Sequence, residues 1–318
     1  MLPEKVTIVE VGPRDGLQNE KKNIALDDKI KLINLLSDAG FSIIESGSIV
    51  SKDKIPQMQD TLDVLKKVNT RPNLKHQILI PNIKGLEKLL EHNSLVNKYN
   101  NNYIDTIAVF TAASETFCSK NINKSIDESL SEYKKVIDKA LMNNIKARGY
   151  ISCCFGCPYE GEIEFEKVLD VAKKLSDMGC HEISIADTIG VASAGNVQEL
   201  LFYISKSMKL DNFSVHFHDT YGQALANVYA ALLMGITIID SSIGGLGGCP
   251  YAGYASGNLA TEDLLFLLNN LKITSNIDFD KLLLASDFIQ DKLDIPIRSK
   301  VYNAIKAKEQ HELQRCNV

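Results

Sequence analysis

Three features of the 318-residue chain predict one α/β domain whose eight parallel strands close into a barrel. Short runs rich in Val, Ile, Phe and Tyr alternate with longer segments of helical apolar spacing from one end to the other. Eight such strand–helix units succeed one another with no linker rich in Pro, Ser or Gly, which is the rhythm of a (β/α)8, or TIM, barrel. A doubly wound open sheet is the structural rival. No G-x-G-x-x-G turn follows the first strand, however, and eight regular units favour closure.

The strands are expected at KVTIVEV (5–11), FSIIES (41–46), KHQILI (75–80), DTIAVF (105–110), ARGYISCC (147–154), EISIAD (182–187), FSVHFH (213–218) and ITIID (236–240). Between them, DDKIKLINLLSDAG (27–40) carries apolar residues at helical spacing and stops on Gly40, and EFEKVLDVAKKLSDMG (164–179) repeats the pattern and stops on Gly179. After residue 270 come two further helical stretches, 278–293 and 299–311. They read as a helical appendage, about 275–318, on a single catalytic domain spanning 1–318.

The composition, 45% hydrophobic and 24% charged, is that of a soluble globular protein. A net charge of −5 without a basic run argues against nucleic-acid binding, so an anionic substrate needs a local cationic site. Seven cysteines, scattered and odd in number, suggest a reducing compartment rather than a disulfide framework. No apolar run approaches the ~18 residues of a membrane span, and no targeting segment is read before the first strand. A cytoplasmic location, with no membrane partner, is the expectation.

A barrel of this kind does its chemistry at the C-terminal ends of its strands. Those ends hold Arg14-Asp15, Glu45, Asn82, Thr111 with Ser114 and Glu115, Asp187-Thr188, His216 with His218, and Asp240-Ser241. Alone, the adjacent Arg14 and Asp15 of VEVGPRDGLQNE could be a loop ion pair of little consequence. His216 and His218 are alternate residues of a strand, so they share a face with Cα atoms about 6.6 Å apart. They could be no more than hydrogen-bonded strand histidines. Closure of the barrel, though, sets Asp15 beside the seventh and eighth strands, and the three together suit a divalent metal: Mg2+ or Mn2+, with Zn2+ also open. Three protein ligands leave positions for substrate, as a catalytic site requires. Arg14 would then be a fixed cation beside the metal, able to stabilise an oxyanion.

The stretch GGLGGCPYAGYASGNLATED (244–263) follows the eighth strand and packs six glycines into fourteen residues. Its backbone can approach a ligand closely, and Cys249 in its middle could be a bystander or a proton donor on a closing segment. Asn258, at its end, could cap the next helix. The cluster Cys153, Cys154 and Cys157 lacks the second Cys or His pair of a zinc site and is expected to line the pocket.

These residues resemble one family, the 3-hydroxy-3-methylglutaryl-CoA lyases, within the metal-dependent lyase and synthase barrels. VEVGPRDGLQNE, AASETF, NINKSIDES, SCCFGCPYEG, DTIGV, HDTYGQALAN and GGLGGCPY…ASGNLATED resemble its motifs in order and over almost the whole chain. The resemblance implies a metal-dependent cleavage of an acyl-CoA substrate, 3-hydroxy-3-methylglutaryl-CoA, to acetyl-CoA and acetoacetate, chemistry of the leucine-degradation and ketone-body type. It implies that Asp15, His216, His218 and Asn258 bind the ion. Arg14 would hold the thioester oxygen, Glu45 and Asp187 would assist loss of the hydroxyl proton, and Cys249 would protonate the departing carbanion. It is also compatible with a homodimer.

The chain departs from the family pattern at CPYAGYASGN, where Tyr254 stands at a usual glycine, at Ala186, also a usual glycine, and at SIVSKDKIPQM, which lacks aromatic residues. These departures bear on acyl preference more than on reaction type. The rival readings are a lyase for a longer-branched thioester, a Claisen-condensing synthase, for which HFHDT is the wrong form of the histidine motif, and a non-catalytic binding protein.

Overall fold

The computed structural model describes residues 1–51, 54–69, 71, 74–96, 103–248 and 256–316. Its strands are β1 (Thr7–Glu10), β2 (Ile43–Ser48), β3 (Lys75–Leu79), β4 (Thr106–Ala112), β5 (Lys146–Ser152), β6 (Cys180–Asp187), β7 (Phe213–Phe217) and β8 (Ile238–Ser241). All pair in parallel and in sequence order, and β1 pairs with β8 from Thr7 opposite Ile238 to Glu10 opposite Ser241. The sheet is closed, so the open-sheet rival is excluded.

Strand periodicity decides which residues face which side. On β4 to β8 the odd-numbered positions, among them Ile107, Val109, Ile151, Ile183, Ile185, Val215 and Ile239, are buried in the apolar layer between sheet and helices. Their β-branched side chains suit a pleated surface covered on its outer face. Helices end as the sequence predicts: those at Leu26–Asp38 and Phe165–Asp177 run into Gly40 (φ +103°) and Gly179 (φ +96°), left-handed positions that suit a residue without Cβ. The final helices span Phe279–Leu293 and Lys300–Cys316.

The even-numbered positions face the barrel axis, and here the composition changes. β5 contributes Arg148 and Tyr150, β6 Glu182, β7 Ser214 and His216, and β8 Asp240, all buried. Register makes them neighbours, with Arg148 opposite Glu182 and His216 opposite Asp240. Barrels of this type usually fill the axis with branched apolar residues. This one carries a charged layer, in which Arg148 pairs with Asp240 (2.6 Å) and Glu182 (2.5 Å). Replacing Arg148 with Met would strand two buried carboxylates. It should destabilise the fold by about 3–5 kcal/mol, measured as the loss of unfolding free energy in denaturant.

Candidate active site

β1 leaves the barrel through one wide helical turn, Gly12–Gly16, in which Arg14 N and Gly16 N both donate to Val11 O at 3.1 Å. The turn is pressed onto its surroundings: a Cβ at Gly12 would lie 2.5 Å from Glu10 Oε1, and one at Gly16 2.6 Å from Ser242 Oγ. Glu10 anchors it. Its Oε1 accepts from Gly12 N (2.8 Å) and Ile243 N (2.9 Å), and its Oε2 from Thr261 Oγ1 (2.7 Å). One buried carboxyl thus ties the exit of β1 to the exit of β8.

The turn aims Arg14 and Asp15 at the barrel mouth. Arg14 Nη1 donates to Asp15 Oδ1 at 2.6 Å, and its Nε donates to Glu45 Oε1. The other oxygen of Glu45 accepts from Tyr150 OH (2.9 Å) and Gln77 Nε2 (2.5 Å), while Arg148 Nη1 donates to Tyr150 OH at 2.7 Å. Arg14 is therefore clamped between two carboxylates, which outweigh the burial that opposes its charge.

His216 Nε2 and His218 Nε2 lie 3.8 and 4.0 Å from Asp15 Oδ2, and the three residues offer ligand atoms within 4.8 Å of one another. These separations are too long for hydrogen bonds. The two distances from Asp15 Oδ2 suit ligands of one ion, since atoms each about 2.1 Å from a common centre lie at most about 4.2 Å apart. His216 is oriented from behind by its Nδ1 contact with Asp240 Oδ2 at 3.1 Å, which leaves Nε2 facing Asp15. Asn258 Nδ2 donates to Asp15 Oδ2 (2.9 Å) and to Leu246 O (3.0 Å). Burial raises the Asp15 carboxyl, but Arg14 and the two histidines outweigh it and hold it down at about 2. Burial and the neighbouring His216 lower His218 to about 4, so it is neutral and able to ligate at physiological pH.

Arg14, Asp15, Tyr150, Ala186, His216 and His218 all line one cavity of about 760 Å³. Several expectations need correction here. His218 lies one residue past β7 and is held there by an antiparallel bridge to Asn258. That bridge gives Asn258 a partner in the site; it does not cap the helix Thr261–Asn270, which begins after Ala260. Asp187 is fully buried and does not line the cavity: its Oδ1 accepts from Val191 N (3.0 Å) and its Oδ2 from Ala192 N (2.8 Å). Both oxygens accept backbone N–H groups of the turn after β6, and the carboxyl is still close enough to His216 to feel its charge. Burial lifts it to about 6 against those N–H groups. Glu45 is equally buried and touches the cavity only through Arg14 and Tyr150. The three cysteines of the β5 loop are buried, and Ser152, not a thiol, lines the wall. Cys249 and Tyr254 lie outside the described residues.

Residues 5–289 match the family described as HMGL-like. The chain belongs to that family. It is 48% identical over 303 residues to the human mitochondrial hydroxymethylglutaryl-CoA lyase, covering 95% of this chain and 90% of that protein. It is 47% identical over 303 residues to the rat cytoplasmic 3-hydroxy-3-methylglutaryl-CoA lyase, covering 95% and 85%. The crystal structure of the Pseudomonas aeruginosa hydroxymethylglutaryl-CoA lyase superposes with a TM-score of 0.91 at 46% identity, covering 96% of this chain and 99% of that one.

Within this family fold, reading strand ends alone overlooked Gln77, Arg148 and Tyr150, which lie deeper on the inward faces. The available signal was ARGYIS itself, where an arginine sits in the middle of a strand two residues from a tyrosine. Glu10 was overlooked as well, for it reads as part of an apolar strand.

Burial raises Glu10 from 4.5 to about 8, against the lowering effect of its hydrogen-bond donors. Protonated, it can donate to Thr261, whose hydroxyl lies 2.8 Å from Ser241 Oγ. A carboxyl raised in the fold contributes stability that is complete below the unfolded value and is lost as pH climbs through the folded one. Unfolding free energy should therefore fall between about pH 4.5 and 8. The Glu10→Gln variant should flatten that slope in denaturation curves taken across the range.

Proposed function

We propose that this protein is a divalent-cation-dependent carbon–carbon lyase that cleaves 3-hydroxy-3-methylglutaryl-CoA to acetyl-CoA and acetoacetate. The observation that carries the reading is the convergence of Asp15, His216 and His218 beside a clamped Arg14 in one cavity. The names of its relatives support the same choice. Asp15, His216 and His218 would hold the ion, with Asn258 joining through its contact to Asp15. Carboxylate oxygen and imidazole nitrogen suit Mg2+ or Mn2+. When bound, the ion lowers the pKa of the tertiary hydroxyl and polarises the substrate oxygens.

The chain's own groups then divide the work. The hydroxyl proton passes to Tyr150 Oη as the tyrosine gives its own proton to Glu45 Oε2, its partner at 2.9 Å. The C2–C3 bond breaks, C3 becomes the ketone of acetoacetate, and the electron pair moves onto the thioester carbonyl. Arg14, whose side chain Glu45 and Asp15 hold in place, neutralises the oxygen that gains charge. Cys249 protonates C2 of the enolate and releases acetyl-CoA.

A homodimer belongs to the same reading. The exposed Phe202, Tyr229, Leu233 and Phe266, on the helices Ala194–Ser205, Ala224–Leu233 and Thr261–Asn270, support it. So does a cytoplasmic location, which the free thiols of Cys118, Cys153, Cys154, Cys157 and Cys180 support. Among the described residues no helix is long and apolar enough to cross a membrane.

The test is release of acetoacetate and acetyl-CoA in equal amounts from the purified protein given the thioester and Mn2+. Chelation should abolish it, and a Mn2+-loaded protein that leaves the thioester intact ends the proposal. His218→Ala should weaken Mn2+ binding by more than the ~10–100-fold that indirect ligand contacts cost, read by titration of free Mn2+. Cys249→Ala and Tyr150→Phe should each lower kcat by about 10²–10⁴ while Mn2+ affinity stays near wild type. Near-normal turnover in either variant removes that residue from the proton path.

A further inference from the structure

We propose that Arg298, in the turn between the last two helices, is a positioning residue for the cation site: it clamps the exit of β8 so that Asn258 stays on Asp15. The inference rests on the reading of Asp15, His216 and His218 as ion ligands.

The exit of β8 makes one short turn, Ile243–Gly245, and then runs on through glycine. Gly244, Gly245 and Gly247 adopt φ of +65°, +66° and +113°, and glycine segments lose more conformational freedom on ordering than any other. Something outside the segment must hold it. Arg298 N donates to Gly244 O (3.0 Å), and Arg298 Nη1 donates to Gly247 O (2.7 Å) and Gly245 O (3.3 Å). One residue thus secures three of four successive carbonyls.

The fourth, Leu246 O, is the one that serves the site. It accepts from Asn258 N (3.4 Å) and from Asn258 Nδ2 (3.0 Å), the same nitrogen that donates to Asp15 Oδ2 at 2.9 Å. The three backbone segments are in direct contact: a Cβ at Gly257 would lie 2.1 Å from Gly245 O and 2.4 Å from Arg298 Nη1. A Cβ at Gly247 would lie 2.6 Å from Asn258 Nδ2. The clamp is itself rigid. Asp263 accepts from Ser299 Oγ (2.6 Å), Lys300 N (3.2 Å) and Val301 N (2.9 Å), and buried Ile297 packs against Gly244. The C-terminal helices therefore belong functionally to the site.

Charge and position make opposite demands on this residue. The Arg298 guanidinium is close enough to His218 to disfavour a second positive charge there. Were that its only influence, neutralising it would tighten cation binding. A positioning role predicts the reverse. In Arg298→Gln, Mn2+ affinity measured by titration of free Mn2+ should fall about tenfold, and Arg298→Lys, which keeps the charge and a donor, should fall less. In the metal-free protein, amide hydrogen exchange at Asn258 and Leu259 should quicken in Arg298→Gln while the melting temperature stays near wild type. Mn2+ bound as tightly as in wild type or tighter, or unchanged exchange at those two amides, overturns the proposal. If Arg298→Gln does not fold, the same two readouts on Arg298→Lys decide, with losses of the same sign and smaller size. Should wild type fail to bind Mn2+, the ion reading falls, and the exchange measurement still decides the clamp by itself.

Discussion

Asp240 is the residue on which the arrangement turns. One of its oxygens takes Arg148 Nη2 at 2.6 Å and the other faces His216 Nδ1 at 3.1 Å. Burial alone would raise this carboxyl, but Arg148 chiefly, with His216, holds it below its ordinary value. It therefore stays anionic at the barrel axis, fixes the His216 ring, and sets Nε2 toward Asp15. From Arg148 the contacts continue through Tyr150 and Glu45 to Arg14, and from Arg14 back to Asp15. The ring closes on Asp15 and His216, two of the three groups that would hold the ion.

Such a ring is costly to bury, and apolar residues of the same volume could fill the axis with equal or better stability. What it supplies is definition. Each member's orientation is set by a neighbour on another strand, so no side chain can move without unpairing a buried charge. Preorganised donors of this kind need no rearrangement as charge develops on a substrate. Leu79, Ala108 and Phe110, on β3 and β4, form the contrasting part of the interior. With Tyr150 they make a small apolar cluster separate from the main core, and Leu79, Phe110 and Tyr150 line the cavity. The interior is thus polar around β5 to β8, while toward the cavity β3 and β4 present apolar groups and Gln77 lies deeper, on Glu45.

The barrel was legible in the sequence because its cause is local: most strands are short β-branched runs and most helices carry their own apolar stripe. The metal cluster was legible because His216 and His218 share a face by strand periodicity, and closure in sequence order brings β1 next to β8. Arg148 and Tyr150 were not, since their importance lies in which residues face them across β4, β6 and β8, and register is not written in any single strand. Asp187 shows a related limit of the sequence. A carboxylate at a strand end can turn to the cavity or to the backbone of its own loop, and only the positions of Val191 N and Ala192 N decide between them. Asn82 and Ser114 illustrate the same ambiguity, for both cap the helix that follows, accepting from Gly85 N and Phe117 N.

The departures from the family pattern fall unevenly on this framework, and that bears on which thioester is accepted. Among the described residues, none of them is a member of the ring. Ala186 stands opposite His216 in register and lines the cavity, so its methyl group takes space close to the proposed ion where a glycine would leave it open. The SIVSKDKIPQM departure is different: Val50, Lys54, Ile55 and Pro56 line the same cavity, with aliphatic bulk and one ammonium where aromatic residues are usual. A flexible cation and small aliphatic groups constrain an acyl chain less than flat rings do, and Lys54 adds to Arg14 and Lys124 as a cation on the wall for an anionic substrate. The reacting centre is therefore set by the ring, and the departures change the cavity wall around it, Ala186 beside His216 and Val50, Lys54, Ile55 and Pro56 farther out.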